Sequence, residues 1–209
     1  MDWSYEAWPS GEPYQWEPAE RGENPYDLVD FHVDLGAGTL KKGRIGIDRH
    51  PAPGVNIVMD LDRLEVFAVP EVVGGDAAVG IDIAGLPFDD SSIESIISHH
   101  CLEHVTDGFI RLVDEVYRVL VPGGLFRAIT PLFPSRTAVE DPDHKRYFME
   151  GTWDTFLGEP GEPHWHEAFS VPYTKARFRM LDKDVTPAMD DLWGPDGARE
   201  IRVALEARK

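Results

Sequence analysis

The chain has 209 residues, of which 38 are acidic and 20 are basic, giving a formal net charge of −18. This length is enough for one domain with a full hydrophobic core and short for two. The acidic excess disfavours a nucleic acid or an anionic membrane as partner, because affinity for phosphates comes from Lys and Arg. The lone cysteine, Cys101, excludes an internal disulfide and a multi-thiolate metal site.

Residues 1–27 differ in composition from the rest, with three tryptophans, four prolines and seven acids against the single base Arg21. This proline density excludes a helical or strand period, and the acidic start is unlike a signal peptide. No apolar run approaches the roughly 20 residues that cross a bilayer, so we expect a cytoplasmic protein. The segment is interpreted as an extended arm that covers apolar surface, with an aromatic lid over a ligand as the alternative.

Short apolar runs separated by turn residues predict the elements of the body. Strands are predicted at Val29–Leu35, Arg44–Asp48, Val55–Met59, Ala78–Ile83, Ile93–Ser98, Leu125–Thr130, Ala176–Leu181 and Ile201–Ala207. One helix begins after an N-cap at Thr106 or Asp107 and stops at Pro122–Gly124, with its apolar residues on one face. Strands that alternate with crossovers predict an α/β sheet covered on both faces, closed by an antiparallel pair.

A glycine-rich turn follows the first predicted strand. Gly36, Ala37 and Gly38 lack bulky side chains, so their backbone N–H groups can approach a ligand at the carboxyl end of the strand. Asp34 precedes the turn, and its carboxylate can accept a hydrogen bond from a ligand ammonium. A plain turn is the alternative interpretation of this pattern.

An acid also ends the second predicted strand. Asp48 is placed to accept hydrogen bonds from both hydroxyls of a ribose. It follows Gly38 by 10 residues, where a dinucleotide site has about 20. The third glycine of such a motif is absent, with Lys41 in its place. These differences disfavour a bound pyrophosphate more than a nucleoside ligand.

The most specific pattern lies in the middle of the chain. It consists of Leu86-Pro87-Phe88, the following run from Asp89 to Val105 that ends in Leu-Glu-His-Val, and Arg-Val-Leu-Val-Pro-Gly-Gly at 118–124. Together these motifs resemble the class I S-adenosylmethionine-dependent methyltransferases, over roughly residues 28–130. The resemblance implies a Rossmann-like, mostly parallel seven-stranded sheet with an antiparallel terminal pair and helices on both faces. It also implies a methyltransferase domain over 28–209, with a substrate-facing insertion at about 132–175.

The resemblance also implies roles for residues that match the family motifs. One group would hold the amino-acid end of S-adenosylmethionine, namely Asp34, Gly36, Ala37 and Gly38. Asp48 would bind the ribose, and Ser98 with His99 would pass under the sulfonium. For the acid beside the adenine, the spacing before Leu86 favours Asp82 with its neighbour Ile83, and the alternative is Asp60 at the end of the third strand.

Catalytic and acceptor-binding residues are indicated by weaker sequence motifs than the cofactor-binding residues are. The candidate bases are His99, His104 and His144. In some relatives an acid and a histidine at Glu103 and His104 help a metal or act as base, although the segment is more often structural. The acceptor would contact Arg146, Tyr147 and Trp165. His164 and His166 lack carboxylate or cysteine partners at ligand spacing, so no metal ion is predicted.

Three functions remain in view from the sequence. The first is a metal-independent methyltransferase that acts on a small-molecule acceptor at oxygen, nitrogen or carbon. The second is a non-catalytic module that binds S-adenosylmethionine. The third, a nucleotide-dependent enzyme of another class, is disfavoured by the missing third glycine and the short first crossover. The sequence assigns neither the acceptor nor an oligomeric state.

Overall fold

The structure, a computed structural model, describes residues 29–68, 85–163, 173–187 and 199–209. Within these ranges the chain forms one sheet of eight strands and a single helix longer than two turns. The elements are β1 (Phe31–Leu35), β2 (Gly43–Asp48), β3 (Val55–Asp60), β4 (Glu65–Ala68), β5 (Ile93–His99), α1 (Phe109–Val119), β6 (Leu120–Pro131), α2 (Arg136–Val139), β7 (Phe178–Pro187) and β8 (Arg199–Ala207). In the described residues, 3₁₀ turns lie at Leu102–His104 and Thr152–Phe156.

The sheet has the strand order β4-β3-β2-β1-β5-β6-β8-β7. The five strands β3, β2, β1, β5 and β6 are parallel, and β8 and β7 form an antiparallel pair at one edge. The predicted Rossmann-like α/β class is therefore confirmed. The strand count differs from the predicted seven because Glu65–Ala68 folds back and pairs antiparallel with β3. The predicted strand at Ala78–Ile83 lies outside the described residues.

The predicted start and stop of the helix are each off by one or more residues. Gly108 is the N-cap, not Thr106 or Asp107. Asp62, in the loop after β3, accepts hydrogen bonds from the backbone N–H groups of Thr106 (3.0 Å) and Gly108 (2.8 Å), and so holds the residues that precede the first helical turn. At the other end the backbone becomes extended at Leu120, before the Pro-Gly-Gly sequence, so that sequence belongs to β6.

Residues of the middle motif bond α1 to the segment that precedes β5. The Arg118 guanidinium donates hydrogen bonds to the carbonyls of Leu86 and Phe88, both at 2.9 Å, and to Asp90 at 2.7 Å. Glu115, one turn earlier on α1, accepts the N–H of Leu86 at 2.8 Å. The Leu-Pro-Phe turn and the arginine of Arg-Val-Leu are therefore structural partners.

An aromatic cluster fills the core beside α1. Trp153 is fully buried, and its ring lies 5.8 Å from that of Phe148 and 6.1 Å from those of Phe109 and Phe156. Burying an aromatic side chain of this size removes about 150–250 Å² of surface from water. Residues 148–156, within the predicted substrate-facing insertion, therefore contribute to the core of the domain.

Candidate functional site

The candidate site lies where the parallel strands end. β1 pairs with β2 through Leu35 and Ile47, and with β5 through Leu35 and Ser98, so the tips of these strands are neighbours. β3 continues the row beyond β2 and ends at Asp60. Open α/β sheets bind their ligands at this carboxyl edge, close to the point where the order of the strands reverses. Here the strand order reverses between β1 and β5.

The glycine turn after β1 is held by the end of β2. The N–H groups of Gly36 and Ala37 both donate to the carbonyl of Ile47, at 2.8 and 3.0 Å. Gly36 has φ +78°, and a Cβ added there would lie 2.4 Å from Cβ of Cys101. Gly38 has φ +51°, and nothing lies within 4 Å of the corresponding position. The turn is therefore packed against Cys101 on one side and open at Gly38.

Asp34 is a buried carboxylate with one occupied and one unoccupied oxygen. The residue is 1% exposed, and its Oδ2 accepts the N–H of Lys42 at 2.5 Å. Its Oδ1 is buried without a hydrogen-bond partner. Burial raises the pKa of Asp34, and the Lys42 N–H opposes that shift. An unpaired buried oxygen costs about 1–3 kcal/mol, so a donor from a ligand would be stabilised here.

Asp48 lies at the tip of β2 and faces the glycine turn. Its Oδ2 accepts the N–H of Gly38 and its Oδ1 accepts the N–H of His50, both at 2.9 Å. These bonds fix the orientation of the carboxylate. Each carboxylate oxygen can accept two hydrogen bonds, so both oxygens retain capacity for a ligand hydroxyl.

Of the two candidate acids for the adenine, the structure describes Asp60. It ends β3, the third parallel strand in the row, and is 5% exposed. Its Oδ1 accepts the N–H groups of Asp62 at 2.9 Å and Arg63 at 3.3 Å. Asp82 and Ile83 lie outside the described residues.

The tip of β5 brings a third set of side chains to the site. Ser98 is buried, and its hydroxyl donates to the Leu35 carbonyl at 3.3 Å. His99 is half-buried, and burial together with the neighbouring His100 lowers its pKa to about 3. The His99 imidazole is therefore neutral near pH 7.

His100 and Glu200 form an ion pair that the sequence did not predict. The His100 ring lies between Glu103, at 3.2 Å from Nδ1, and Glu200, at 2.7 Å from Nε2. Although burial lowers the pKa of His100, hydrogen bonds to the two carboxylates outweigh it and raise the pKa to about 10. The pKa of Glu200 falls to about 2, because His100 and Arg202 outweigh its burial. No sequence signal marked this pair, because Glu200 precedes the predicted strand Ile201–Ala207 and belongs to no motif.

The other two candidate bases lie next to each other. The rings of His104 and His144 are 4.9 Å apart in an edge-to-face contact. Nδ1 of His104 lies 3.1 Å from a carboxylate oxygen of Asp143, and Nδ1 of His144 lies 3.1 Å from the Ala138 carbonyl. Both histidines are thus oriented by hydrogen bonds within the chain.

The predicted acceptor contacts differ in their surroundings. The Arg146 guanidinium lies 4.5 Å over the Phe109 ring and donates to the Thr106 carbonyl at 2.6 Å, so it is engaged within the domain. Tyr147 is 52% exposed, and its ring lies 5.2 Å from that of Phe133. Trp165, like residues 1–27, His164 and His166, lies outside the described residues.

Known proteins resemble part of this chain in sequence. Residues 57–128 match the family model described as a methyltransferase domain. Over 69 residues, 31% of this chain, the sequence is 35% identical to a protein of Mycolicibacterium smegmatis named "Probable S-adenosylmethionine-dependent methyltransferase". Over this part, the chain is similar to S-adenosylmethionine-dependent methyltransferases. The predicted resemblance is thereby confirmed, and the activity and the cofactor of this chain stay predictions.

These similarities cover part of this chain and part of its relative. The aligned region is 26% of the curated relative, about a quarter of its length. The family match begins at residue 57, beyond the glycine turn and Asp48, so the roles of those residues depend on the geometry above.

Solved structures share the fold. A methyltransferase of Methanosarcina mazei has a TM-score of 0.50 at 15% identity, with 91% of this chain and 99% of that chain covered. The MccD protein has a TM-score of 0.50 at 11% identity, with 88% and 93% covered. At these identities the likeness concerns the fold alone. Within the part of the chain that the structure describes, no helix is long and apolar enough to cross a membrane.

Proposed function

We propose that this protein transfers the methyl group of S-adenosylmethionine to an oxygen, nitrogen or carbon atom of a small molecule. The observation that carries the proposal is the arrangement at the tips of β1 and β2. There the unpartnered Oδ1 of Asp34 precedes a turn that is open at Gly38 and held by Asp48. A buried acceptor, an accessible backbone and an oriented carboxylate suit the ammonium and the ribose of an adenosyl amino acid.

Each strand tip has a role in this proposal. Asp34 accepts the cofactor ammonium through Oδ1, the turn at 36–38 lies along the amino-acid end, and Asp48 accepts from the ribose hydroxyls. For the adenine amino group we propose Asp60, because it ends the strand next to β2 at the same edge of the sheet. Asp82, which the motif spacing favoured, is the alternative together with Ile83.

The chemistry divides between the cofactor and the chain. Bound S-adenosylmethionine supplies an electrophilic methyl group on its sulfonium. The chain aligns the acceptor with that group and excludes water, and such orientation is worth about 7–11 kcal/mol. His99 is neutral, so it would orient an acceptor through a hydrogen bond. His100 already faces Glu103 and Glu200 with both ring nitrogens, which leaves neither free to take a proton.

We place the acceptor on the β5 and β6 side of the edge. The residues proposed to contact it lie in the loop after α2, which includes His144 and the exposed Tyr147, and in the segment that contains Trp165. A small molecule fits the strong negative charge of the chain, which opposes a polynucleotide. Residues 1–27 would act as an arm or lid over this side, and the cytoplasm remains the expected compartment.

A methyl-transfer assay with matched acid variants tests the proposal. Purified protein is incubated with S-adenosylmethionine and a cell metabolite extract, and products are detected by the mass of one added methyl group. We expect Asp48→Ala to lose at least about tenfold in product, because charged hydrogen bonds contribute about 1.5–3 kcal/mol. Asp30→Ala is the control, since Asp30 is an exposed acid whose carboxylate pairs with Arg44 at 2.6 Å. Equal yields from the two variants would contradict the proposal.

A non-catalytic module that binds S-adenosylmethionine is the second candidate. The observation that favours it is the state of the histidines at the tip of β5: His100 is held between two carboxylates, and the pKa of His99 is about 3. Neither is a strong base near neutral pH. Cofactor binding without a methylated product in any extract would support this module over the enzyme.

A further inference from the structure

Three neighbouring strands place an imidazole and a guanidinium on the same face of the sheet. His99 on β5 pairs with Ile129 on β6, and Ile129 pairs with Arg202 on β8. Residues that pair across a sheet direct their side chains to the same face, and neighbouring strands are about 4.7–4.9 Å apart. The Cα atoms of His99 and Arg202 are therefore about 10 Å apart, which leaves room for a small polar group between the two side chains.

The guanidinium of Arg202 is oriented by the acid two residues earlier. Nε and Nη2 of Arg202 donate to Oε2 of Glu200, at 3.2 and 3.0 Å, and Oε1 of Glu200 lies 2.7 Å from Nε2 of His100. Nη1 of Arg202 forms no hydrogen bond with any residue that the structure describes, and the side chain is 17% exposed. The guanidinium is therefore fixed on one side and can donate to a ligand on the other.

Lys42 brings a further cation to this part of the site. Its backbone N–H is bonded to Asp34. Burial lowers the pKa of Lys42, and the carboxylates of Asp34 and Glu200 oppose that shift, so the ammonium lies near both acids. Burial is the main cause that lowers the pKa of His99, and the charges of Lys42 and Arg202 lower it further. Both cations are therefore close enough to His99 to attract a ligand bound beside it.

The described charges around His99 leave a positive excess. The pKa of His100 is about 10, so its ring is protonated between the carboxylates of Glu103 and Glu200. Arg202 pairs with Glu200 as well. Lys42 is a third cation, and the acid that holds its N–H is the one proposed above for the cofactor ammonium. Three cations therefore accompany two carboxylates, in a chain with a net charge of −18, and this local excess favours an anionic ligand.

The described residues at the tip of β5 include no strong base. The pKa of His99 is about 3, and both ring nitrogens of His100 face carboxylates. A phenol, a thiol or an ammonium has a pKa of about 8.5 or higher and must lose its proton before it attacks a methyl group, whereas a carboxylate is already ionised at pH 7. A carboxylate acceptor would need only hydrogen-bond donors and cations, and the neutral ring of His99 supplies one N–H donor.

We propose that the acceptor is the carboxylate of a small molecule, bound between the imidazole of His99 and the guanidinium of Arg202, with the ammonium of Lys42 nearby. This inference rests on the proposed function and names its substrate class. One carboxylate oxygen accepts hydrogen bonds from His99 and Arg202, and a lone pair of the other attacks the methyl carbon of S-adenosylmethionine. A C–O bond forms as the C–S bond breaks, and the electron pair of the broken bond remains on sulfur. The products are a methyl ester and S-adenosylhomocysteine, and no proton is transferred.

Treatment with alkali distinguishes a methyl ester from other methylated products. The full chain is incubated with a cell metabolite extract and S-adenosylmethionine that carries tritium in its methyl group, and the products are separated from the cofactor. An ester then releases its methyl group in mild alkali as volatile methanol, whereas N-methyl, C-methyl and methyl ether groups are stable. We expect most of the transferred tritium to become volatile. Alkali-stable tritium would overturn this inference and leave the proposed methyltransferase function intact, and no transferred tritium would overturn both.

Substitution of the two cations tests where the acceptor binds. Arg202→Gln should lower the rate of ester formation at least about tenfold, as loss of a hydrogen bond to a charged group does, and Arg202→Lys should recover part of that rate because it keeps the charge. Lys42→Gln should lower the rate about threefold, the effect of a charge without a direct bond. The affinity for S-adenosylmethionine, measured by calorimetry, should stay the same in these variants.

Arg111→Gln is the matched control for these substitutions, since Arg111 is an exposed arginine on α1. Because the Lys42 side chain forms no hydrogen bond with a described residue, Lys42→Gln is informative even where loss of the Arg202–Glu200 pair prevents folding. Rates of ester formation in Arg202→Gln and Lys42→Gln equal to that in Arg111→Gln would overturn the assignment of the acceptor site.

Discussion

The two halves of the candidate site are constructed differently. At the tips of β1 and β2 the contacts are local and use backbone atoms: Lys42 is 8 residues from Asp34, and Asp48 is 10 residues from Gly38. At the tip of β5 the contacts join charged side chains, and His100 pairs with Glu200 100 residues later in the chain. The first half depends on backbone geometry, while the second depends on charges that only the folded sheet brings together.

The largest expected effect tests the half of the site at the tips of β1 and β2, which depends on backbone geometry. Gly36→Ala should reduce the free energy of unfolding by about 2–5 kcal/mol, because a left-handed backbone costs about 1–2 and the overlap with Cys101 about 1–3. Gly38→Ala should reduce the free energy of unfolding only by the cost of the left-handed backbone, since no atom lies near the added Cβ. It should also weaken cofactor binding. Urea unfolding of both variants checks this contrast. Equal losses of stability would show that the packing against Cys101 is unimportant.

The next largest effect tests the half of the site at the tip of β5, which depends on charged side chains. His100→Gln should lower the free energy of unfolding by about 3 kcal/mol, because it leaves the buried carboxylates of Glu103 and Glu200 without their cation. His99→Gln is the comparison, since His99 is neutral and forms no ion pair among the described residues; it should cost less than half as much. The same urea experiment measures both. A loss in His100→Gln no greater than in His99→Gln would contradict the ion-pair interpretation.

A smaller effect is expected in the dependence of stability on pH. The pKa of His100 is raised to about 10 from an ordinary value of 6.5, so its contribution is complete below pH 6.5 and is lost as pH rises toward 10. Between pH 7 and 9 the wild type should lose about 1–2 kcal/mol more than His100→Gln, allowing for the exposed part of the ring. For Glu200, whose pKa falls to about 2, the contribution is present above pH 4.5 and is lost as pH falls toward 2.

Parallel pH profiles for the wild type and His100→Gln between pH 7 and 9 would contradict this assignment. Glu200→Gln provides a second check at the acidic end, because it removes the group whose pKa is lowered. Unfolding in urea at a series of pH values supplies both comparisons.

The same contrast explains how far the sequence could predict this molecule. Alternating apolar runs and the turn at Gly36–Gly38 predicted the sheet and the position of Asp48, because these are local patterns. The start of α1 was predicted wrongly because Asp62, from another loop, holds the N–H groups of Thr106 and Gly108, and no side chain caps the helix. The Leu-Pro-Phe motif gave no sign of its bonds to Arg118, and His100 and Glu200 are each unremarkable in sequence. Contacts between distant segments require the topology, which a single sequence does not state.

The central claim is that the tips of β1 and β2 bind S-adenosylmethionine through Asp48 and the glycine turn. Calorimetric titration of the cofactor into the wild type, Asp48→Asn and Asp30→Asn tests it most directly. We expect binding by the wild type, the same affinity in Asp30→Asn, and a loss of about 10–100-fold in Asp48→Asn, which corresponds to the free energy of a charged hydrogen bond. Undiminished affinity in Asp48→Asn, or no heat of binding with the wild type, would contradict it.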